Sequence, residues 1–316
     1  MFAATSRHSA RPLIALMLAL VALSLTPLEA RAQRPTKLSA VAQPGGAELT
    51  RALPATTPAP PEPRARDFRW AEEELFFSVR VNDAEAMRAG LRTGELRRNN
   101  GRVYVPLSGT AQSRGFFHAV YPLDDRANTY LDPVSFRPWR TEKRFEERGQ
   151  TRVYNVDYHH PSFEARVERH RNERKSRLRT AIPERTHDML TWLYELRSQP
   201  QLEPGQRFSF YIYDGWLLSR LDVEVAARED ILTPLGWFHT YRLDFVRHIM
   251  DADRGAIDAD RGERSAPRVA MREEARHSGS LWLSRDANLI PVRVTINTPL
   301  GAGEAVLIHY KPGQGA

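Results

Sequence analysis

The chain is 316 residues long, contains no cysteine and carries a formal net charge of +7. Without cysteine there is neither a disulfide framework nor a thiol to carry a lipid, so an ordinary hydrophobic core must hold the folded part together. The modest positive excess suits solubility, and in an exported chain it favours anionic envelope surfaces over nucleic acid.

The first 32 residues read as a secretory leader. Arg7, His8 and Arg11 form a basic segment, Leu13 to Leu25 is apolar apart from Ser24, and Ala30-Arg31-Ala32 places small residues before a cut after Ala32. The run is too short for a membrane-spanning helix, which needs roughly 20 apolar residues. The expected product is soluble, periplasmic or secreted, with no transmembrane span. Its net charge falls from +7 to +5, because Arg7, Arg11, Arg31 and Glu29 leave with the leader. Export also removes genomic DNA and cytosolic nucleotides as partners.

Residues 33–67 carry Pro35, Pro44, Pro54, Pro58, Pro60, Pro61 and Pro63 among alanine and threonine. Such a stretch cannot bury enough apolar area to offset its ordering entropy, so it is expected to be an extended linker. The remaining stretch, 68–316, is expected to be a single domain of about 250 residues, large enough to bury a core without a metal or partner.

From Phe68 onward the apolar period is two. Leu75, Phe77, Val79 and Val81 alternate with Phe76, Ser78 and Arg80. The same rhythm recurs at Val103–Leu107, Phe208–Tyr213, Leu221–Val225 and Ile290–Ile296. Turn residues at Asn99-Asn100-Gly101, Asp124-Asp125, Arg148-Gly149, Pro204-Gly205, Asp214-Gly215 and Arg285-Asp286-Ala287-Asn288 are expected to separate the runs. Alternation with short links predicts antiparallel strands, and a dozen of them must curl or split into layers. One segment breaks the rhythm: Pro183 to Arg197 sets Met189, Leu193 and Leu196 on one face, with Thr186 as N-cap, and is the sole helix expected. The fold class is therefore mainly β, an antiparallel barrel-like or half-barrel sheet with one central amphipathic helix.

Chemistry-bearing residues are sparse. Residues 166–179 hold Arg166, Arg169, Arg171, Arg174, Lys175, Arg177 and Arg179 against Glu168 and Glu173, an excess equal to that of the exported chain. Arg166, Arg169, Arg171, Arg174 and Lys175 are the candidate contacts to an anionic surface, although a solvated hairpin would look the same. Tyr121, Tyr211, Tyr213, Trp216 and Trp282 are candidates to line a ligand cavity, with core packing as the ordinary alternative. Asp251-Ala-Asp253-Arg-Gly255 repeats at Asp258–Gly262, but Ala256 and Gly262 stand where a calcium loop needs Gly and Glu, so no metal is expected. His239, among Trp237, Tyr241, Leu243 and Phe245, reads as a hydrogen-bonded core histidine. His187-Asp188 and His159-His160 are neighbours, badly spaced for a triad or a shared ion. No nucleophile elbow, zinc helix or phosphate loop occurs, so no cofactor is expected and catalysis is not favoured.

Several phrases occur in order along the chain. They are Glu74–Val79 with Ala89-Gly90, Ser113-Arg114-Gly115 into Val120-Tyr121, and Tyr130-Leu131-Asp132 with Phe136-Arg137-Pro138. Asp188–Arg197 follows, then Arg228-Glu229 with Thr233–Gly236. Leu281–Asp286 running into Ile290–Arg293, and Gly301 after it, complete the series. Together they resemble a bacterial exported family known as domain of unknown function 3108, with Thr191 where that family usually has Ser. The resemblance spans about 70 to 310 and implies a barrel-like envelope domain without an assigned activity. Residues 139–179 and the aspartate repeat look expanded relative to it. The function expected is non-catalytic binding of a lipid-like or amphipathic envelope component. The alternative is a protein–protein interaction module of an envelope assembly, with an enzyme on glycan or lipid a distant third.

Overall fold

The computed structural model describes residues 68–171, 174–252, 266–271, 277–298 and 301–315. The expected leader, the expected linker and most of the aspartate repeat lie outside the described residues.

Alternating inward residues build the first meander. It runs through β1 (Glu74–Val81), β2 (Ala84–Thr93), the short β3 (Arg97–Asn99) and β4 (Arg102–Ser113). A helix, α1 (Gly115–Val120), bridges to β5 (Leu123–Leu131), and β6 (Pro138–Glu147), β7 (Gln150–His159), β8 (Glu164–Arg171) and β9 (Arg174–Ala181) follow. The two-residue β10 (Thr186–His187) leads into helix α2 (Thr191–Arg197). A second meander comprises β11 (Arg207–Tyr213), β12 (Leu218–Thr233), β13 (Gly236–Ala252), β14 (Val269–Met271), β15 (His277–Ser284), β16 (Pro291–Thr298) and β17 (Gly301–Lys311).

The two meanders form one sheet because β17 pairs antiparallel with β1, from Glu74 opposite Lys311 to Val81 opposite Gly303. All ladders are antiparallel except the β10–β11 pair. No ladder joins β9 to β10 or β11 among the described residues; the sheet overlaps itself instead. Inward-facing Val156, Tyr158, Ala165 and Val167 of β7 and β8 pack on Tyr213, Leu218 and Met250. These three lie on the opposite face of β11–β13 from Ile212, Leu221 and Ile249, whose side chains are also buried. Tyr158 donates to the Tyr213 carbonyl at 2.8 Å, which stitches the overlap.

Inside the roll lies α2, buried along nearly its whole length. It packs with Phe68, Trp70, Phe136 and inward residues of both meanders. The helix is shorter than Pro183–Arg197. Thr186 does not cap it but spends its hydroxyl on the Pro183 carbonyl at 2.7 Å. Asp188 takes over: its Oδ1 accepts the Leu190 and Thr191 amides at 3.0 and 2.8 Å, satisfying donors that the first turn leaves open. A second helix, α1, was not expected; six residues are too few to show a helical period.

The ladder to β15 stops at Thr240 opposite Ser284, so the end of the β12–β13 hairpin extends beyond its neighbour strand. His239 lies on that extension, bonded to Asp230 at 2.8 Å with its side chain 76% exposed. This overturns its reading as a core histidine: apolar alternation continues past the point where a facing layer exists. Trp237 and Leu232 at the tip are 71% and 61% exposed.

Candidate functional site

Charged residues enter the roll on inward positions. Asp214, just after β11, places its carbonyl 3.0 Å from the Lys143 ammonium of β6 and its Oδ2 2.8 Å from the Arg247 guanidinium of β13. Asp188 accepts hydrogen bonds from Thr129 and from Thr141, the latter at 3.1 Å. All four charged groups are buried, two cations against two carboxylates. Burial lowers the pKa of both Lys143 and Arg247, and the Asp214 charge opposes that shift. The Lys143 ammonium also sits 5.5 Å from the Trp216 ring, which packs on Tyr154 and Phe145. This cluster ties β6, β13 and the β11–β12 turn together across the interior.

A hydroxyl–imidazole–carboxylate string lies beside it. His187 Nδ1 is 3.1 Å from Thr191 Oγ1, and His187 Nε2 is 2.6 Å from Glu195 Oε2. Arg185 donates to the other Glu195 oxygen at 2.5 Å. Although burial alone would raise the Glu195 carboxyl, His187 and Arg185 hold it below its ordinary value. The order resembles a nucleophilic relay, but Thr191 and His187 are both buried. Thr191 Oγ1 already accepts the Asp188 amide at 3.2 Å. Thr191 and Asp188 thus form a reciprocal cap at the start of α2. The regular spacing of His187, Thr191 and Glu195 is the signal that could have found this string.

The third cluster lies at the rim where β1 ends, here the lower rim. In an up-and-down meander alternate connections emerge at one end, so α1, the β6–β7 turn at Arg148-Gly149 and the β8–β9 turn share this rim. Below α1, Glu147 accepts from Arg152 and from the Tyr121 hydroxyl, the latter at 3.3 Å. Asp125 Oδ1 accepts the Glu146 amide at 3.1 Å. Burial first, and the Glu147 charge second, raise the Asp125 pKa to about 8. Burial also raises Glu147 and Tyr121.

Around this rim the basic candidates are spread unevenly. Arg166 pairs with Glu164 at 3.1 Å, and Arg169 donates to the Gly215 carbonyl at 2.6 and 3.1 Å, reinforcing the overlap. Arg171, Arg174 and Lys175 are exposed at the β8–β9 tip and have no carboxylate partner among the described residues. The aromatic candidates do not converge. Tyr211 and Tyr213 lie in the overlap, Trp216 is inside near Lys143, and Tyr121 sits under α1. Trp282 lies on the other face of β15 from Leu281 and Leu283; its indole donates to Glu229 at 2.8 Å and Arg293 covers its ring. Among the described residues, no group of three or more His, Asp or Glu is placed to hold a metal ion.

The model for the family described as protein of unknown function (DUF3108) matches residues 77–308. The chain belongs to that family. No curated protein sequence matches it. Among solved structures, it is similar to a beta-barrel-like protein of domain of unknown function DUF1849 from Brucella abortus. That match has 8% identity and a TM-score of 0.48, covering 78% of this chain and 99% of the other. It is also similar to a "putative exported protein with YmcC-like fold" from Bacteroides fragilis, at 8% identity and a TM-score of 0.30, covering 77% and 97%. A "putative lipoprotein" from Parabacteroides distasonis matches at 11% identity and a TM-score of 0.32, covering 76% and 95%. The DUF3108 chain is a mainly β, barrel-like domain, and no ladder closes its rolled sheet among the described residues. No helix among its described residues is long and apolar enough to cross a membrane.

Proposed function

We propose that this DUF3108 chain is an exported, non-catalytic β-domain that binds an amphipathic, phosphate-bearing component of the cell envelope. The observation that carries this reading is the contrast between interior and rim. The buried cations Lys143, Arg197 and Arg247 all have partners inside the roll, whereas Arg171, Arg174 and Lys175 project from the β8–β9 tip without a carboxylate among the described residues. Cations with the first arrangement stabilise the fold; those with the second are available to an external anion. The leader-like first 32 residues support delivery to the periplasm or beyond. The concave side supports surface binding over an internal carrier role, because α2, Phe68, Trp70 and Phe136 occupy it.

Cosedimentation with vesicles tests this. Purified mature protein is expected to bind vesicles containing phosphatidylglycerol, and Arg171→Glu with Arg174→Glu should remove that binding. Equal binding by wild type and double variant would sink the reading.

A second reading, a protein-docking module, rests on the far end of the molecule. There Leu232, Leu235 and Trp237 present an apolar tip on the β12–β13 hairpin. Crosslinking in cells through Trp237→Cys, unique in a cysteine-free chain, checks it; a single dominant protein partner would favour this role.

A further inference from the structure

We infer that the envelope component is an anionic phospholipid bilayer surface, and that α1 is the element that enters it. This rests on the binding function proposed above and specifies its partner.

The argument begins with an apparent misfit. Helix α1 buries none of its residues. Phe116 is 80% and Val120 60% exposed, while Phe117, about 100° round the helix from Phe116, packs against the core. Large apolar side chains turned to water on a loose loop would be unremarkable, but α1 is fastened at both ends. The Arg114 amide donates to the Ala86 carbonyl at 2.8 Å, and Ser113 Oγ lies 2.9 Å from His118 Nδ1. The same Ser113 oxygen accepts the Leu123 amide at 2.9 Å. After the helix, Tyr121 is held by its bond to Glu147 and by the Arg148 guanidinium over its ring at 5.6 Å. The Arg148 amide reaches the Pro122 carbonyl at 3.0 Å. The fold thus holds Phe116 and Val120 outward on a fixed platform.

Charge complements this platform. Arg114 is the residue before α1, Arg148 lies beneath it, and Arg171, Arg174 and Lys175 occupy the next but one turn of the same rim. From β5 to β8 is three inter-strand spacings, about 15 Å, so apolar and cationic groups address one plane. A soluble polyanion would use the cations and leave Phe116 and Val120 in water. A bilayer interface uses both, taking the apolar side chains below the headgroups and pairing the cations with phosphates. The hairpin tip at Trp237 lies at the other end, so it is not part of this surface.

Vesicle flotation with three proteins tests the inference. The mature wild type, Phe116→Ser with Val120→Ser, and Arg171→Glu with Arg174→Glu are each mixed with pure phosphatidylcholine vesicles or with vesicles one-third phosphatidylglycerol. Circular dichroism confirms that each protein is folded. Wild type is expected to float only with the anionic vesicles, and each double variant should lose about tenfold or more in partitioning. A Phe116→Cys variant carrying an environment-sensitive dye, the sole thiol in the chain, should shift to the blue on anionic vesicles alone. If the serine variant floats like wild type and the dye does not shift, while the glutamate variant fails to float, insertion by α1 is overturned and anion binding stands. If wild type ignores anionic vesicles, both the inference and the function it rests on fall.

Discussion

Glu73 and Arg197, 124 residues apart, form a bidentate ion pair buried at the end of the roll where β1 begins. The Arg197 guanidinium donates to the two Glu73 oxygens at 2.7 and 2.6 Å, and both side chains are buried. Burial opposes the Arg197 charge, but Glu73 more than compensates and raises its pKa. The guanidinium also donates to the Asn288 carbonyl and lies 5.0 Å from the Trp70 ring. The pair therefore fastens α2 to the start of β1 and to the β15–β16 turn. Removing one partner strands a buried charge, so Arg197→Met is expected to cost about 3–5 kcal/mol in denaturant unfolding. Combining it with Glu73→Leu should cost clearly less than the two singles together. Additive losses in that cycle would show that the pair is not coupled.

Asp125 gives the protein a pH dependence of definite sign. Its carboxyl titrates near pH 8 in the fold, against roughly 3.9 in an unfolded chain. The folded state therefore holds a proton that the unfolded state releases above pH 4. This group's contribution is most favourable below pH 4, declines as pH rises towards 8, and is flat beyond. Asp125→Asn should be more stable than wild type at pH 8, by about 2 kcal/mol or more, and should lose that slope. Parallel stability–pH curves for the two proteins would rule the assignment out.

The two buried cations around Asp214 are not equivalent. Arg247 faces the Asp214 carboxylate, whereas the Lys143 bond goes to the Asp214 carbonyl. Arg247→Met should cost about 3–5 kcal/mol because it leaves a buried carboxylate without its cation. Lys143→Met, which keeps the stem volume and ends a desolvation penalty, should cost less than about 1.5 kcal/mol. Chemical unfolding of both variants checks the order; the reverse order would contradict the geometry.

Gly279 on β15 is a packing requirement. A Cβ there would stand 2.1 Å from the Thr295 carbonyl oxygen and 2.7 Å from the Phe245 ring. Because the first obstacle is backbone, the strand itself must move. Gly279→Ala should destabilise by about 1–3 kcal/mol in thermal unfolding, and an unchanged melting temperature would refute this.

Much of the fold was legible because it is local. The alternation at Leu75–Val81 and Ile290–Ile296 marks β1 and β16, since those strands bury one face throughout. The same rule misplaced His239, because alternation continues along a hairpin after its covering layer has ended. The start of α2 differs from the expectation because Asp188, and not Thr186, caps it. The charged interior was illegible for a different reason. Arg247 and Asp214 are 33 residues apart, and Asp188 and Thr141 are 47 apart, so only the rolled sheet brings them together. At the candidate site, the basic run at 166–179 was visible as composition, but its division into Arg169, which braces the overlap, and Arg171, Arg174 and Lys175, which project, depends on where β8 meets β11.

The ladder between β1 and β17 sets the order in which this protein can mature. Its seam is made from the first and last strands of the described sheet, with Glu74 aligned to Lys311. One edge of β1 has no native partner until β17 is available. Folding cannot finish strand by strand from β1 onward. It must wait for the whole chain, and then pay the entropy of closing a loop that spans the entire domain. During that interval the edge of β1 that awaits β17 is an unpaired strand edge, the kind of surface on which a stray strand can pair and aggregate.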